Sequence, residues 1–179
     1  MEQTEGILIR SQPWSDTSLI TTWLTSGHGK IRLMARGARR PGSPLAGKLD
    51  LFYKAEIAFA SSRRSSLHSL REARLLEPFQ APPASAFQNL FLCGYFAELI
   101  DMATEPGQPA AEIYDLLSRA VSHLNTSPAS LRALEHFERQ LVLLLGITEE
   151  STSALSALGQ YCGRIPASRE AAFRLLPQA

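Results

Sequence analysis

The sequence predicts an α+β protein in which a small five-stranded β-barrel is followed by an all-helical domain. Three observations support this prediction. Short β-prone segments separated by turn residues fill the first half, apolar residues recur at helical spacing in the second half, and the segment APPAS at 81–85 separates the two patterns. The expected domains are therefore residues 1–80 and residues 81–179.

Five candidate strands lie in the first half of the chain. The third is the clearest, because Lys30, Arg32 and Arg36 share one side of residues 30–36 while small and apolar residues share the other. The remaining four are rich in β-branched, aromatic or aliphatic residues: residues 6–10, 17–25, 51–60 and 66–76. Five short strands with turns between them predict a small sandwich or barrel. Trp23 and Phe59 lie inside apolar strands and are expected in its core.

Helical periodicity dominates the second half. The strongest patterns span residues 87–102, 111–124 and 131–145, and a weaker one spans residues 150–158. The tail from Tyr161 onward fits no single element.

The formal net charge of +1 hides an asymmetry between the halves. Residues 1–78 carry twelve basic and seven acidic side chains, a net +5, whereas residues 79–179 carry six basic and ten acidic side chains, a net −4. A basic half joined to an acidic half indicates that the first half meets something anionic.

The basic charge concentrates in one stretch of fifteen residues, 29–43, which holds five cations, and no acid occurs between residues 29 and 49. A solvated charged surface is the simplest interpretation of such a stretch. Three features favour a binding role: the acids are missing, Lys30, Arg32 and Arg36 share a side, and the following loop adds Arg39, Arg40 and Lys48. Guanidinium groups fit phosphates geometrically. A small barrel with a basic groove is also how OB-type proteins bind single strands.

Trp14 lies in the polar turn SQPWSDTS, where an exposed indole is unusual. Two interpretations remain open: a lid on the barrel, or a platform on which a base stacks.

Several classes of protein are not expected. No apolar run reaches the roughly 18 residues of a membrane span, and the start MEQTEGILIR has no long apolar segment typical of a signal peptide. Cys93 and Cys162 form no disulfide framework, which favours a cytoplasmic protein with free thiols. We find no HExxH, GxSxG or complete phosphate-loop motif, so an enzyme and a cofactor are not expected.

Two sets of motifs resemble the recombination mediator RecO family. In the first half these are EGILIR (5–10), PWSD (13–16), LT (24–25), GK (29–30) and ARGARRP (35–41). In the second half they are YFAELID (95–101), HFERQL (136–141) and LLG (144–146). The resemblance covers about residues 4–163.

The resemblance implies an N-terminal OB-fold, a helical domain and a cytoplasmic bacterial protein associated with the nucleoid. It implies binding to single- and double-stranded DNA, annealing of complementary strands, and help in loading RecA. Expected partners are RecR and the acidic tail of the single-stranded-DNA-binding protein. By this resemblance the DNA-contacting role falls on Lys30, Arg36, Arg39 and Arg40, whereas Arg32 and Lys48 follow only from the charge pattern.

The chain departs from the family pattern at its end. Many members carry two CxxC pairs that bind zinc, but the matching segment here, GQYCGR at 159–164, keeps only Cys162. One thiolate cannot hold a zinc ion that requires four ligands, so no metal is expected.

Other functions remain open from sequence. The acidic helical half would suit an adaptor of the repair machinery with weak DNA affinity, and an OB-fold RNA-binding module is a further alternative. Arg132 and Arg139 lie seven residues apart, hence on one helical face, and could receive the acidic tail of a partner. Their alternative role is exposed pairing with Glu135 and Glu138.

Overall fold

The computed structural model describes residues 1–147 and 153–177, and the chain divides into two compact units. The barrel unit comprises Met1–Phe79 and Thr104–Tyr114, and the helical unit comprises Gln80–Ala103 and the chain from Asp115 onward. The linker at 81–85 predicts a single boundary, whereas the structure also groups residues 104–114 with the barrel.

Five strands form a closed barrel in the order β1-β2-β3-β5-β4. Together with the helices that follow, this confirms the predicted α+β class with an N-terminal OB-type barrel. All neighbouring strands are antiparallel except β3 and β5, whose parallel pairing closes the barrel. The strands are β1 (Glu2–Pro13), β2 (Leu19–Thr25), β3 (Gly29–Ala35), β4 (Lys54–Ala60) and β5 (Leu67–Glu77).

Strand β1 is longer than the predicted segment 6–10 because it pairs along both edges. Its first part, from Glu2 to Ile7, pairs with β4, and its second part, from Gly6 to Pro13, pairs with β2. The register shifts between Leu8 and Arg10 on the β2 side, as expected for a bulge that bends one strand around a small barrel.

The barrel encloses an apolar core built by alternation along the strands. Trp23 and Phe59 are 0% and 1% exposed, so their predicted core positions are confirmed. The Trp23 indole N–H donates to the Thr21 hydroxyl at 2.9 Å, and Thr21 donates to the Leu33 carbonyl oxygen at 3.1 Å. The buried indole is therefore hydrogen-bonded.

Residues 104–114 complete the barrel unit. The Gly107 N–H donates to the Lys30 carbonyl oxygen at 2.9 Å, and the Tyr114 hydroxyl donates to the Glu5 carboxylate at 3.3 Å. Gly29 has φ of +62°, and a Cβ atom there would lie 1.7 Å from the Gln108 carbonyl oxygen. Only glycine fits at this close approach.

The helical unit is built from a short 3₁₀ turn, Pro83–Ser85, and from five helices in the part of the chain that the structure describes. These are α1 (Ala86–Ala103), α2 (Ala111–Thr126), α3 (Leu131–Leu144), α4 (Ala154–Cys162) and α5 (Ser168–Leu175). The first three match the predicted helices within a few residues. The beginning of the predicted segment 150–158 lies outside the described residues, and α5 occupies the ambiguous tail. None of these helices is long and apolar enough to cross a bilayer.

A buried polar network joins three helices of this unit. Glu138 on α3 is 3% exposed. It accepts hydrogen bonds from the Tyr95 hydroxyl on α1 at 2.7 Å and from Nε of Arg169 on α5 at 2.6 Å. Nearby, the Phe96 and Phe137 rings stack with centroids 3.8 Å apart. Arg169 therefore balances a carboxylate that is removed from water.

Candidate nucleic-acid interface

The basic loop after β3 is a chain of hydrogen-bonded turns. Backbone N–H groups donate to the carbonyl three residues earlier along most of its length, in the pairs Arg40 to Gly37, Ser43 to Arg40, Ala46 to Ser43 and Lys48 to Leu45. Gly37, Gly42 and Gly47 adopt positive φ in these turns. The glycine-rich sequence therefore specifies a folded loop and gives its cations defined positions.

Two apolar side chains attach this loop to the barrel. Ala38 and Leu45 are 7% and 6% exposed and belong to the same core cluster as Trp23 and Leu33. Because the small and aliphatic residues point inward, the arginines between them are left on the outside.

The basic loop is also hydrogen-bonded to the β1–β2 loop that carries Trp14. The Arg39 N–H donates to the Thr17 carbonyl oxygen at 2.9 Å, and the Gly37 N–H donates to the Ser18 hydroxyl at 3.2 Å. The Trp14 N–H donates to the Ser18 carbonyl oxygen at 2.9 Å and closes its own loop. Two segments separated by some twenty residues of sequence thus form one surface.

Trp14 lies on this surface with 65% of its area exposed. It lines an open groove, here called the Trp14 groove, together with Met34, Arg36 and Arg40. The groove has a volume of about 590 Å³, within the range of ligand sites. The exposure contradicts the interpretation of Trp14 as a lid on the barrel, and it leaves an indole face available beside two guanidinium groups.

Four of the predicted cations are exposed, namely Arg32, Arg36, Arg39 and Arg40. None of them makes an ion pair with a carboxylate within residues 1–147 and 153–177. Arg74 differs, because it pairs with Glu56 at 2.9 Å. The acid-free stretch of sequence therefore folds into a surface whose charge is not neutralised by the described part of the protein.

Lys30 does not belong to this surface. It is 7% exposed, and residues 106–107 lie against it: the Gly107 N–H binds its carbonyl oxygen, and Pro106 bridges to it. The expectation that Lys30 forms an open ridge with Arg32 and Arg36 is therefore wrong. Strand alternation groups these three positions, but it cannot show that Lys30 is buried while Arg32 and Arg36 are exposed.

Lys48 is half-buried at the far end of the loop. It lines a second groove, here called the Lys48 groove, which also contains Arg71, Arg74, Glu56 and Glu72. This environment is of mixed charge, unlike the acid-free Trp14 groove.

Sequence reasoning missed Arg71. This exposed residue of β5 shares a third groove, the Arg71 groove, with Arg36 and Arg40. The parallel register pairs Arg32 with Leu67 and Met34 with Ser69. Arg71 follows two residues after this pairing ends, at a register shift of β5 against β4, and both it and Glu72 are exposed there. The strand order of a closed five-stranded barrel was the signal that could have identified it.

The two arginines predicted to receive an acidic tail have different environments. Arg132 lines a groove of the helical unit with Arg119, His123 and His136 at its rim and Phe96, Leu116, Leu124 and Phe137 among its apolar residues. Arg139 does not line this groove and lies 3.9 Å from Glu135. Glu138, the other expected partner, is buried and binds Arg169 instead.

Both cysteine thiols are poorly suited to metal binding or nucleophilic chemistry. Burial raises the pKa of Cys93 far above its usual range and also raises the pKa of Cys162. Among the described residues, no group of three or more histidine, cysteine or acidic side chains is placed to hold a metal ion.

Comparison with known proteins identifies both halves of the chain. Residues 1–79 match the family model described as Recombination protein O N terminal, and residues 84–153 match the model described as Recombination protein O C terminal. These two matches cover most of the sequence.

Curated relatives named DNA repair protein RecO give the same result. The chain is 30% identical to that of Rhodopirellula baltica over 79% of its own length and 52% of the relative. It is 29% identical to that of Bacillus pumilus over 83% of its own length and 57% of the relative. It is 36% identical to that of a Cyanothece species over 69% of its own length and 41% of the relative. The chain spans about half the length of the curated relatives it matches. With both of its halves matched, the chain belongs to the RecO family.

Proposed function

We propose that the barrel unit binds single-stranded DNA through the basic loop and the Trp14 groove. The observation that carries this proposal is the grouping of exposed Trp14, Arg36 and Arg40 around one groove, with no carboxylate among the described residues neutralising either arginine. Each arginine can make two parallel hydrogen bonds to phosphate oxygens. The indole offers a stacking face that accepts any base.

Part of the site, on strand β3 and the β1–β2 loop, corresponds to the surface that OB-folds use, and the β3–β4 loop extends it. OB-folds bind oligonucleotides on the face of strands 2 and 3 and on adjacent loops, including the β1–β2 loop. Here β3 contributes Arg32, the β1–β2 loop contributes Trp14, and the β3–β4 loop contributes Arg36, Arg39 and Arg40.

On this basis the chain acts as a recombination mediator in DNA repair. It anneals complementary strands and assists the loading of RecA on DNA coated by the single-stranded-DNA-binding protein. Annealing requires that the charge of two strands be neutralised while they are held close, and it needs no covalent chemistry. The unpaired arginines supply that neutralisation, and RecR is the expected partner.

The groove of the helical unit supports a contact with the acidic tail of the single-stranded-DNA-binding protein. Arg132 is exposed at this groove and suits the carboxylates of such a tail, while Phe96, Leu116, Leu124 and Phe137 are nearly fully buried and form its floor. The same groove favours the second candidate function, an adaptor that holds a partner and has little DNA affinity of its own. Binding to a bare oligonucleotide separates the two: tight binding supports the mediator, and binding only through a partner supports the adaptor.

Strand annealing tests the proposed function most simply. The triple variant Arg36→Ala, Arg39→Ala, Arg40→Ala should lose annealing of complementary oligonucleotides while its melting temperature stays within a few degrees of the parent, because exposed substitutions have small effects on stability. The matched control is Arg119→Ala, Arg139→Ala, Arg174→Ala, which removes the same charge from arginines of the helical unit already paired with carboxylates. The control should anneal normally. Retained annealing by the first variant would contradict the proposal, and an RNA competitor that displaces DNA more effectively than DNA itself would favour an RNA-binding module.

A further inference from the structure

Arg71 occupies a junction between two grooves of the barrel unit. It lines the Arg71 groove with Arg36 and Arg40, and it also lines the Lys48 groove with Lys48. Pro44 and Leu45 of the basic loop line both grooves as well. The two depressions are therefore neighbours that meet where the loop passes β5.

The first groove is continuous with the site already described. Arg36 and Arg40 line both the Trp14 groove and the Arg71 groove. A single path thus leads from Trp14, past the two arginines, to Arg71 and then to Lys48. It follows the edge of the basic loop and leaves the face of β2 and β3.

The charge along this path changes in a defined order. The Trp14 and Arg71 grooves have no acidic lining residue, whereas the Lys48 groove contains Glu56 and Glu72. Glu56 is paired with Arg74 at 2.9 Å, so Glu72 is the acid that offsets Arg71 and Lys48. The attraction for phosphate therefore falls where the path reaches Lys48.

We propose that Arg71 is a further phosphate-binding residue, which directs the sugar–phosphate chain of a single strand from Arg36 and Arg40 across β5 toward Lys48. This inference rests on the proposed function, and it adds the course of the strand and a residue that the basic stretch of sequence does not contain. Glu72 lowers the affinity of the Lys48 groove for DNA by repelling phosphates.

The test is the salt dependence of binding to a fluorescent single-stranded oligonucleotide. Loss of one phosphate contact should reduce the magnitude of the slope of log K against log salt by about 0.7 and weaken binding about fivefold at 0.1 M salt. We expect this for Arg71→Ala, and a parental slope for Arg71→Lys, which keeps the charge. Arg174→Ala is the control: it removes one exposed, already paired guanidinium that lines none of the three barrel grooves, and it should change affinity less than twofold. Glu72→Gln should tighten binding about twofold or more.

Equal effects of Arg71→Ala and Arg174→Ala would overturn the inference. A second outcome would also overturn it: Arg71→Ala leaves affinity unchanged, while substitution of Arg63 and Arg64 in the β4–β5 loop abolishes binding. The DNA strand would then continue along β3. Failure of the proposed function has a different signature. Either the affinity of the parent protein would not change with salt, or the Arg36→Ala, Arg40→Ala variant would bind as tightly as the parent. Melting curves identify any variant that is unfolded, in which case Arg71→Lys and Glu72→Gln still decide the result.

Discussion

Trp14 and Arg40 line the same groove although they lie in different loops of the barrel unit, before β2 and after β3. The relationship is fixed by hydrogen bonds from the Arg39 N–H to the Thr17 carbonyl oxygen and from the Gly37 N–H to the Ser18 hydroxyl. An aromatic face and a guanidinium fork are thereby placed together, which is the combination that binds single strands without regard to sequence.

Trp14 provides a direct spectroscopic test of stacking. Trp14→Ala should weaken single-strand binding by about 1–3 kcal/mol, the usual contribution of one base stacked on an aromatic ring. The parent protein should lose tryptophan fluorescence on adding an oligonucleotide, and Trp14→Phe should not, because the remaining Trp23 is buried in the core. Quenching of equal size in Trp14→Phe would show that the indole does not meet the bases.

Gly29 tests the grouping of residues 104–114 with the barrel. Gly29→Ala should destabilise the barrel unit by about 3 kcal/mol or more, because the new methyl group would collide with the Gln108 carbonyl in addition to adopting positive φ. Gly47→Ala is the control with positive φ and no neighbouring atom, and it should cost about 1 kcal/mol. Chemical denaturation followed by Trp23 fluorescence measures both, and equal losses would argue against the close approach.

Arg169 tests the buried network of the helical unit. Arg169→Met should destabilise this unit by about 3–5 kcal/mol, because Glu138 would remain buried without a counter-charge. Arg174→Met on the same helix should cost at most about 1 kcal/mol, since Arg174 and Glu170 form an exposed pair. Denaturant unfolding followed by circular dichroism gives the midpoint of each variant, and similar midpoints for the two variants would refute the assigned role of Arg169.

The buried thiol of Cys93 should make the free energy of unfolding depend on pH in the alkaline range. Burial raises its folded-state pKa well above the value of about 8.5 expected in the unfolded chain. Stability is therefore fully present below that value and falls as pH rises, by up to about 1.4 kcal/mol per pH unit, because only the unfolded chain ionises. Between about pH 8.5 and 10, Cys93→Ala should flatten this slope, and Cys162→Ala, at a half-buried thiol, should flatten it less. An unchanged slope in Cys93→Ala would contradict the burial effect; above pH 10 the raised pKa of Tyr95 adds a second contribution.

Local sequence patterns predicted much of this fold because they report local geometry. Alternation identified β3 and its exposed Arg32, and helical spacing identified α1, α2 and α3. The polar surroundings of Trp14 identified it as unusual, but only the structure excludes the lid, because the side chain is exposed; base stacking stays a prediction.

The remaining features depend on contacts between distant segments. Lys30 is buried and its backbone pairs with residues 106–107, and no pattern within the strand reports that pairing. Arg71 joins the site through the parallel pairing of β3 with β5, which links residues some 35 positions apart. Helix α5 has only eight residues, so its apolar periodicity was a weak signal in the sequence. Its ion pair from Arg169 to the buried Glu138 is a contact between distant segments.

The salt dependence of single-strand binding is the most direct measurement of the central claim. If the surface from Trp14 to Lys48 neutralises about five phosphates, log K should fall with log salt at a slope of about −3.5, and the Arg36→Ala, Arg39→Ala, Arg40→Ala variant should reduce the slope to about −1.4. An affinity that does not respond to salt, or a triple variant with the parental slope, would contradict the account.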